Sequence, residues 1–344
     1  MLKKVNLVDY GQLKLETVEP IQTLLPGTVK VDVNACGICG SDIALYRGQR
    51  DLKNERYFGH EFSGVVLDAG LEANGIKAGM RVASELSRTC GQCWFCLNGL
   101  QNYCRSMNEA LLPGGFTEET MVLNVPEYSF LSPIPDTLDD ITATLLEPTN
   151  CSYHAVRQGQ IKQGDTVAVF GLGTMGLIAA RIAKAMGASV VIGIGRNAEK
   201  LKKIRELDFV DTVNCTEADW VEQVQEMGGA KGVDVVIEAT GSASVFQDAM
   251  TVVRPGGRIV VMSVYHNAPN VELWPIMRKE IHIVGAKGPY PHRKTDGSSA
   301  AVEVLNDLQD DLKKLITVYD YKDALKAFDD MMAGRCFKTV IAFK

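Results

Sequence analysis

Cys90, Cys93, Cys96 and Cys104 are four thiols separated by two, two and seven residues inside a short polar, glycine-containing segment. Two intervening residues suit a tight turn and seven suit a loop that returns to its start. Four thiolates can therefore converge on one tetrahedral zinc at about 2.3 Å each. Such a site has no open coordination position, so the cluster reads as structural and any catalysis lies elsewhere. Two disulfides or a redox pair are the alternatives. The other five of the nine cysteines (Cys36, Cys39, Cys151, Cys215 and Cys336) are dispersed, as in a reducing compartment, and this favours zinc.

A sparser set holds the residue types of a catalytic metal. Cys39 lies in Gly37-Ile38-Cys39-Gly40-Ser41-Asp42, His60 and Glu61 in Gly59-His60-Glu61-Phe62-Ser63-Gly64, and Glu147 in Leu146-Glu147-Pro148. One thiolate, one imidazole and one carboxylate form an open zinc site that water or substrate completes. Spacing alone does not establish this set, because His60 and Glu147 are far apart and a single histidine is more often structural.

A third motif handles phosphates. A short apolar strand at 166–170 runs into Gly171-Leu172-Gly173-Thr174-Met175-Gly176 and then a helical pattern. In that setting the glycines permit a tight turn, approach of backbone to a pyrophosphate, and close helix–sheet packing. The helix N-terminus adds unpaired N–H groups and about half a positive charge. The acidic residue that would hold the adenosine ribose of NAD is missing: its position is Gly195, followed by Arg196 and Asn197. A guanidinium there fits a 2′-phosphate, so NADP is favoured over NAD. Stacking of Arg196 on adenine, or its exposure to solvent, is the alternative, and Asn197 can hydrogen-bond either ribose form.

The elements that must position these groups change character near residue 150. Before it, alternating runs at 28–33 and 63–69, punctuated by glycines, predict a strand-rich unit. After it, strands at 166–170, 189–194, 233–239, 258–263 and 281–285 alternate with helices at 175–186, 198–207 and 243–253, the pattern of a doubly wound parallel sheet. Helical spacing of Ala324, Leu325, Phe328, Met331 and Met332 precedes a last strand at 337–343, and the methionines read as core. The chain has 344 residues, 46% hydrophobic and 23% charged, enough for two domains. A net charge of −6 without a basic stripe argues against nucleic acid as a partner. The N-terminal residues show no secretory or anchoring run, and the apolar region 177–194 is broken by Arg181 and Lys184, so no membrane partner and a cytoplasmic location are expected.

Taken in order, GICGSD, GHEFSGVV, the four-cysteine lobe, Gly114-Gly115-Phe116, LLEP, GLGTMG and EATGS make the whole chain resemble the zinc-containing medium-chain alcohol/polyol dehydrogenases. The branch is that of sorbitol, sugar-alcohol-phosphate, threonine and cyclitol dehydrogenases. The resemblance implies an α/β chain: a GroES-like β-rich catalytic domain from 1–150 plus 286–344, with a structural zinc lobe at 88–106, and an inserted Rossmann domain at 151–285. It implies two zinc ions per chain, the catalytic one on Cys39 and His60 with Glu61 and Glu147 as direct or exchanging ligands. Ser41 matches the hydroxyl that hands off the alcohol proton, Asp42 the carboxylate that orients the zinc-bound histidine, and Glu61 is counted with them as catalytic. Thr240 of EATGS joins Gly171, Gly173, Thr174, Met175, Gly176, Gly195, Arg196 and Asn197 in the cofactor site. Many relatives carry a histidine two residues beyond the aspartate, where this chain has Ala44, so proton release would use ribose hydroxyls or water. His154 matches a histidine that reads as structural; His266, His282 and His292 are unassigned. Tyr46, Arg47, Glu119 and Lys287 are placed only by position as candidates for substrate hydroxyls. A homodimer or homotetramer is expected.

The implied reaction is hydride transfer between NAD(P) and a secondary alcohol or ketone of a polyol, a sugar, with or without phosphate, or a cyclitol. Two alternatives stand beside it: an NADPH-dependent ketone reductase, and a non-catalytic cofactor-sensing protein on the same fold.

Overall fold

The computed structural model describes residues 1–52, 58–70, 75–86, 89–105, 114–123, 130–265, 270–294 and 298–344, so His266 and the two ends of the expected lobe, 88 and 106, lie outside the described residues. The chain forms two compact units, Met1–Asn150 with Pro289–Lys344, and Cys151–Gly288. The second unit runs three residues further than the sequence boundary at 285. Ala286 is buried with its N–H on the Val261 carbonyl at 2.8 Å, and a side chain at Gly288 would collide with Cys151.

In the first unit a seven-stranded sheet is organised around Thr28–Gly37, whose alternate side chains are buried. Glu61–Ala69 lies antiparallel along one edge of this strand, and the other edge is shared by Glu119–Leu123 and the C-terminal strand Lys338–Ala342. Arg81–Ser84 and Leu131–Pro133 extend the sheet on one side and Ile316–Asp320 on the other. Phe328, from the helix Ala324–Met332, packs between Phe58 and Phe116 at centroid distances of 5.8 and 5.6 Å. Chain ends far apart in sequence thus share one core, which also buries Val29, Val31, Ile38 and Phe62. Glu85, fully buried, fastens the C-terminal return to this unit: it accepts hydrogen bonds from Ser132 Oγ (2.7 Å), Asn150 Nδ2 (3.3 Å), Arg293 Nη2 (2.6 Å) and Ser299 Oγ.

The second unit is a six-stranded parallel sheet in the order Asp211–Asn214, Val190–Gly195, Thr166–Phe170, Val233–Glu238, Val253–Val261, His282–Gly285. Numbered along the chain this is 3-2-1-4-5-6, the doubly wound arrangement whose order reverses beside the first strand. That strand and Val233–Glu238 are buried along their whole length, as centre strands covered on both faces must be. The strand expected at 258–263 begins earlier, at Val253, and passes through Pro255-Gly256-Gly257, where its register shifts. Asp211–Asn214 and the helices Trp220–Gly228, Trp274–Lys279 and Ala300–Leu312 were not legible as elements. Asp211–Asn214 buries only Val213, so it carries almost no alternation to read.

Candidate active site and cofactor site

Within the first unit, the strand Thr28–Gly37 delivers Cys39 to the start of the helix Gly40–Tyr46, and Glu61 opens the strand that pairs with it. This pairing sets Gly37 opposite Glu61 and brings Cys39, His60 and Glu61 together, with one donor atom of each within 4.8 Å of the others. His60 and Glu61 are 5% and 2% exposed. Burial opposes a charge on His60, but Cys39, Asp42 and Glu147 outweigh it and hold its pKa well above the ordinary value. So much buried negative charge around one imidazole is what a divalent cation would neutralise. A soft thiolate, an imidazole and a carboxylate are also a zinc donor set with room for a further ligand, so the residues fit the ion.

Asp42 is the scaffold beneath this trio. Its Oδ2 accepts the Cys39 N–H at 2.8 Å and its Oδ1 the Gly59 N–H at 3.0 Å, so one carboxylate fixes the backbone at both approaches to the site. Burial lifts its pKa to about 6, against the lowering by His60 and by these two N–H groups.

The four cysteines also converge. Cys93 Sγ lies 3.6 Å and Cys90 Sγ 4.0 Å from Cys96 Sγ, close to the edge of about 3.8 Å of a tetrahedron with Zn–S bonds of about 2.3 Å. None of them is in a disulfide. The N–H groups of Cys90 and Cys93 point at Cys104 Sγ (3.2 Å) and Cys90 Sγ (3.3 Å), the electrostatic setting of thiolates. The short helix Trp94–Leu97 and the turn Gln101–Tyr103 carry the loop back to Cys104.

In the second unit, Thr166–Phe170 ends at Gly171, whose φ of +93° turns the chain beneath Thr240: a side chain here would lie 2.7 Å from Thr240 Cγ2. At Gly176 a Cβ would sit 1.9 Å from the Gly171 carbonyl oxygen, so only glycine lets the helix Thr174–Ala185 pack this close. At Gly173, the N-cap, a Cβ would meet open space instead, as needed where a phosphate approaches the backbone. A cavity of about 480 Å³ opens there, lined by Gly173, Gly195, Arg196, Lys200 and Thr240 among others, within the usual size of a cofactor site. Thr240 N and Gly241 N donate to the buried Glu238 carboxylate at 2.7 and 3.0 Å, fixing the loop on one wall.

Residues 25–136 match the family description "Alcohol dehydrogenase GroES-like domain" and residues 174–303 match "Zinc-binding dehydrogenase". A sorbitol dehydrogenase of Halalkalibacterium halodurans is 30% identical over 321 residues, 91% of each chain. A D-xylulose reductase A of Aspergillus clavatus is 32% identical over 348 residues, 98% of this chain and 95% of that one. This chain belongs to the zinc-containing medium-chain alcohol/polyol dehydrogenase family. Among solved structures, an alcohol dehydrogenase of Escherichia coli CFT073 complexed with NADH and a zinc-binding dehydrogenase of Sinorhizobium meliloti 1021 bound to NADP each superpose with a TM-score of 0.82. Both are 28% identical and cover 99% of both chains.

For this medium-chain dehydrogenase the geometry places the remaining residues singled out in the sequence. Glu147 is buried in the first turn of the helix Leu146–Gly159, near enough for its charge to act on His60, but it is not a member of the group formed by Cys39, His60 and Glu61. Asp42 Oδ1 lies 3.9 Å from His60 Nδ1, beyond hydrogen-bond distance, and its two oxygens accept backbone N–H groups instead. Ser41 is half-buried in the first turn of its helix. Asn197 caps the helix Ala198–Glu206 through Oδ1, which accepts Lys200 N–H at 3.0 Å. Glu119 accepts the Ile21 N–H at 2.7 Å and pairs with Lys30 at 3.4 Å, and Tyr46 packs toward Phe328 at 6.2 Å; both have structural work. Arg47, Lys287 and His282 are exposed, and His292 lies 4.5 Å from the Tyr290 ring. Two residues escaped the sequence reading. Lys200 is a second cation on the cofactor cavity, in the first turn of the helix Ala198–Glu206 and four residues beyond Arg196. Lys338, almost fully buried, pairs with Glu61; a cation within the apolar run 337–343 was the signal for it.

Proposed function

We propose that this chain is an NAD(P)-dependent dehydrogenase that oxidises a secondary alcohol of a polyol, sugar or cyclitol to the ketone, with two zinc ions per chain and a preference for NADP. The juxtaposition of Cys39, His60 and Glu61 in a buried, anionic setting carries this reading. The sorbitol dehydrogenase and xylulose reductase relatives support the substrate class. A zinc ion on the trio would polarise the substrate oxygen as a Lewis acid, and the nicotinamide would accept the hydride.

The chain's own residues do the rest. Cys39 and His60 would hold the metal, with Glu61 as an exchanging ligand, and Asp42 fixes the backbone from which the first two project. Ser41 takes the hydroxyl proton as the alcohol ionises, and with Ala44 in place of a relay histidine the proton leaves through water or ribose hydroxyls. Gly173 and the N-terminus of the helix Thr174–Ala185 receive the pyrophosphate, and Arg196 with Lys200 the adenosine 2′-phosphate. The same two cations favour the reverse direction, reduction of the ketone by NADPH, as the second reading. The four cysteines hold the structural zinc. The outer edge of the parallel sheet, His282–Gly285, with Ile283 37% exposed and Trp274 57% exposed nearby in sequence, supports a homodimer or homotetramer. Among the described residues no helix is long and apolar enough to cross a membrane.

A panel of polyols, sugar alcohol phosphates and cyclitols, assayed by nicotinamide absorbance with each cofactor, tests the reading. Turnover that disappears in Cys39→Ser, together with loss of one of two zinc ions, supports it. Absence of turnover across the panel, or a single zinc unaffected by Cys39→Ser, overturns it.

A further inference from the structure

Lys338 is a cation in a place that tolerates none unpaired. It is 2% exposed, opens the strand Lys338–Ala342, and reaches the level of Glu61 across the end of Thr28–Gly37. Its ammonium ion-pairs with Glu61 Oε2 and donates to the Ile38 carbonyl at 3.1 Å. The backbone is shaped around this pair. A Cβ on Gly37 would lie 2.7 Å from Glu61 Oε2 and 2.9 Å from Lys338 Cε, so the pair passes through the space that a side chain would fill. Glu61 therefore has two claimants: Lys338, and the point where Cys39 and His60 converge.

We propose that Lys338 is a positioning residue of the metal site: by retaining one oxygen of Glu61 it keeps the carboxylate from becoming a permanent ligand and so preserves a coordination position for the substrate oxygen. This rests on the reading of Cys39, His60 and Glu61 as the catalytic metal site. Without the ammonium, a buried carboxylate has only the metal as counter-ion and closes upon it.

Cobalt(II) substitution tests this, because visible d–d bands report coordination number whether or not the enzyme turns over. Cobalt spectra and metal release to a chelator are measured for wild type, Lys338→Met, Glu61→Gln and the double variant, with the contribution of the four-cysteine lobe taken from Cys39→Ser. The expected result is a changed band and release slowed by about tenfold or more in Lys338→Met. In the Glu61→Gln background the lysine substitution changes neither, since no carboxylate remains to be held. Lys338→Arg restores the wild-type band. Lys338→Gln, a neutral polar substitute, gives the same reading if Lys338→Met does not accumulate. A wild-type band in the neutral variants, or a change that persists beside Glu61→Gln, overturns the proposal. Wild-type protein that takes up metal only in the lobe overturns the underlying reading, and the stoichiometry tells the two failures apart.

Discussion

Asp42 Oδ1 accepts the Gly59 N–H at 3.0 Å, joining the turn that carries Cys39 to the residue that precedes His60. Asp42 is fully buried and spends its other oxygen on the Cys39 N–H, so it clamps two segments that converge on one point. Asp42→Ala should lower metal affinity at the trio, or activity, by about 10- to 100-fold, the usual cost of losing such support. Zinc content should fall from two toward one per chain while nucleotide binding is unchanged. Full retention of both ions would show that the clamp is dispensable.

Arg196 and Lys200 line the cofactor cavity without a carboxylate at Gly195. Losing a charged hydrogen bond costs about 1.5–3 kcal/mol. Arg196→Ala should therefore weaken NADP by about ten- to a hundredfold and NAD far less, measured as the ratio of their dissociation constants. Lys200→Ala should move the ratio the same way. A ratio unmoved by either would remove the 2′-phosphate argument.

Glu85 accepts from Arg293, Ser299, Ser132 and Asn150 in a fully buried setting. Glu85→Ala leaves the Arg293 charge without its partner, at a cost of about 3–5 kcal/mol. Denaturant unfolding should show this as a fall in midpoint. An unchanged midpoint would mean that the C-terminal return is held by the apolar core alone.

His154 sits buried in the helix Leu146–Gly159, and burial depresses its pKa to about 4 from 6.5. The folded state therefore keeps it neutral, while the unfolded chain takes up a proton below about 6.5. Its contribution is present in full above pH 6.5 and is lost as the pH falls through the window to about 4. Thermal melts of His154→Asn should show a shallower loss between pH 6.5 and 4 than wild type. Parallel slopes would place the acid sensitivity elsewhere.

Cys96→Ala should remove the lobe zinc. Structural zinc sites contribute about 10–16 kcal/mol of binding energy to local order, so the lobe should become sensitive to proteolysis. The zinc on the trio should stay. Loss of both ions together would show that the lobe supports the catalytic metal as well.

What the amino-acid order determined by itself is local. The four cysteines close their loop within fifteen positions, and the glycine motif joins a strand, a turn and a helix that follow one another directly, so residue type and spacing already specify both. Thr166–Phe170 was legible as a continuous apolar run and Thr174–Ala185 by its helical apolar spacing; Asp211–Asn214 was not, because a strand with one buried side chain leaves neither a run nor a period. The trio was nameable only through resemblance, and its supports not at all. Glu61 and Lys338 are 277 residues apart, and they meet only because the sheet lays the strands that begin at each of them on opposite sides of Thr28–Gly37. Tertiary structure also gave Asp42 its backbone partners and brought the buried Glu147 near enough to His60 for its charge to act on the imidazole. Burial and strand register decide which charges face one another, and neither is written in the spacing of residues along one segment.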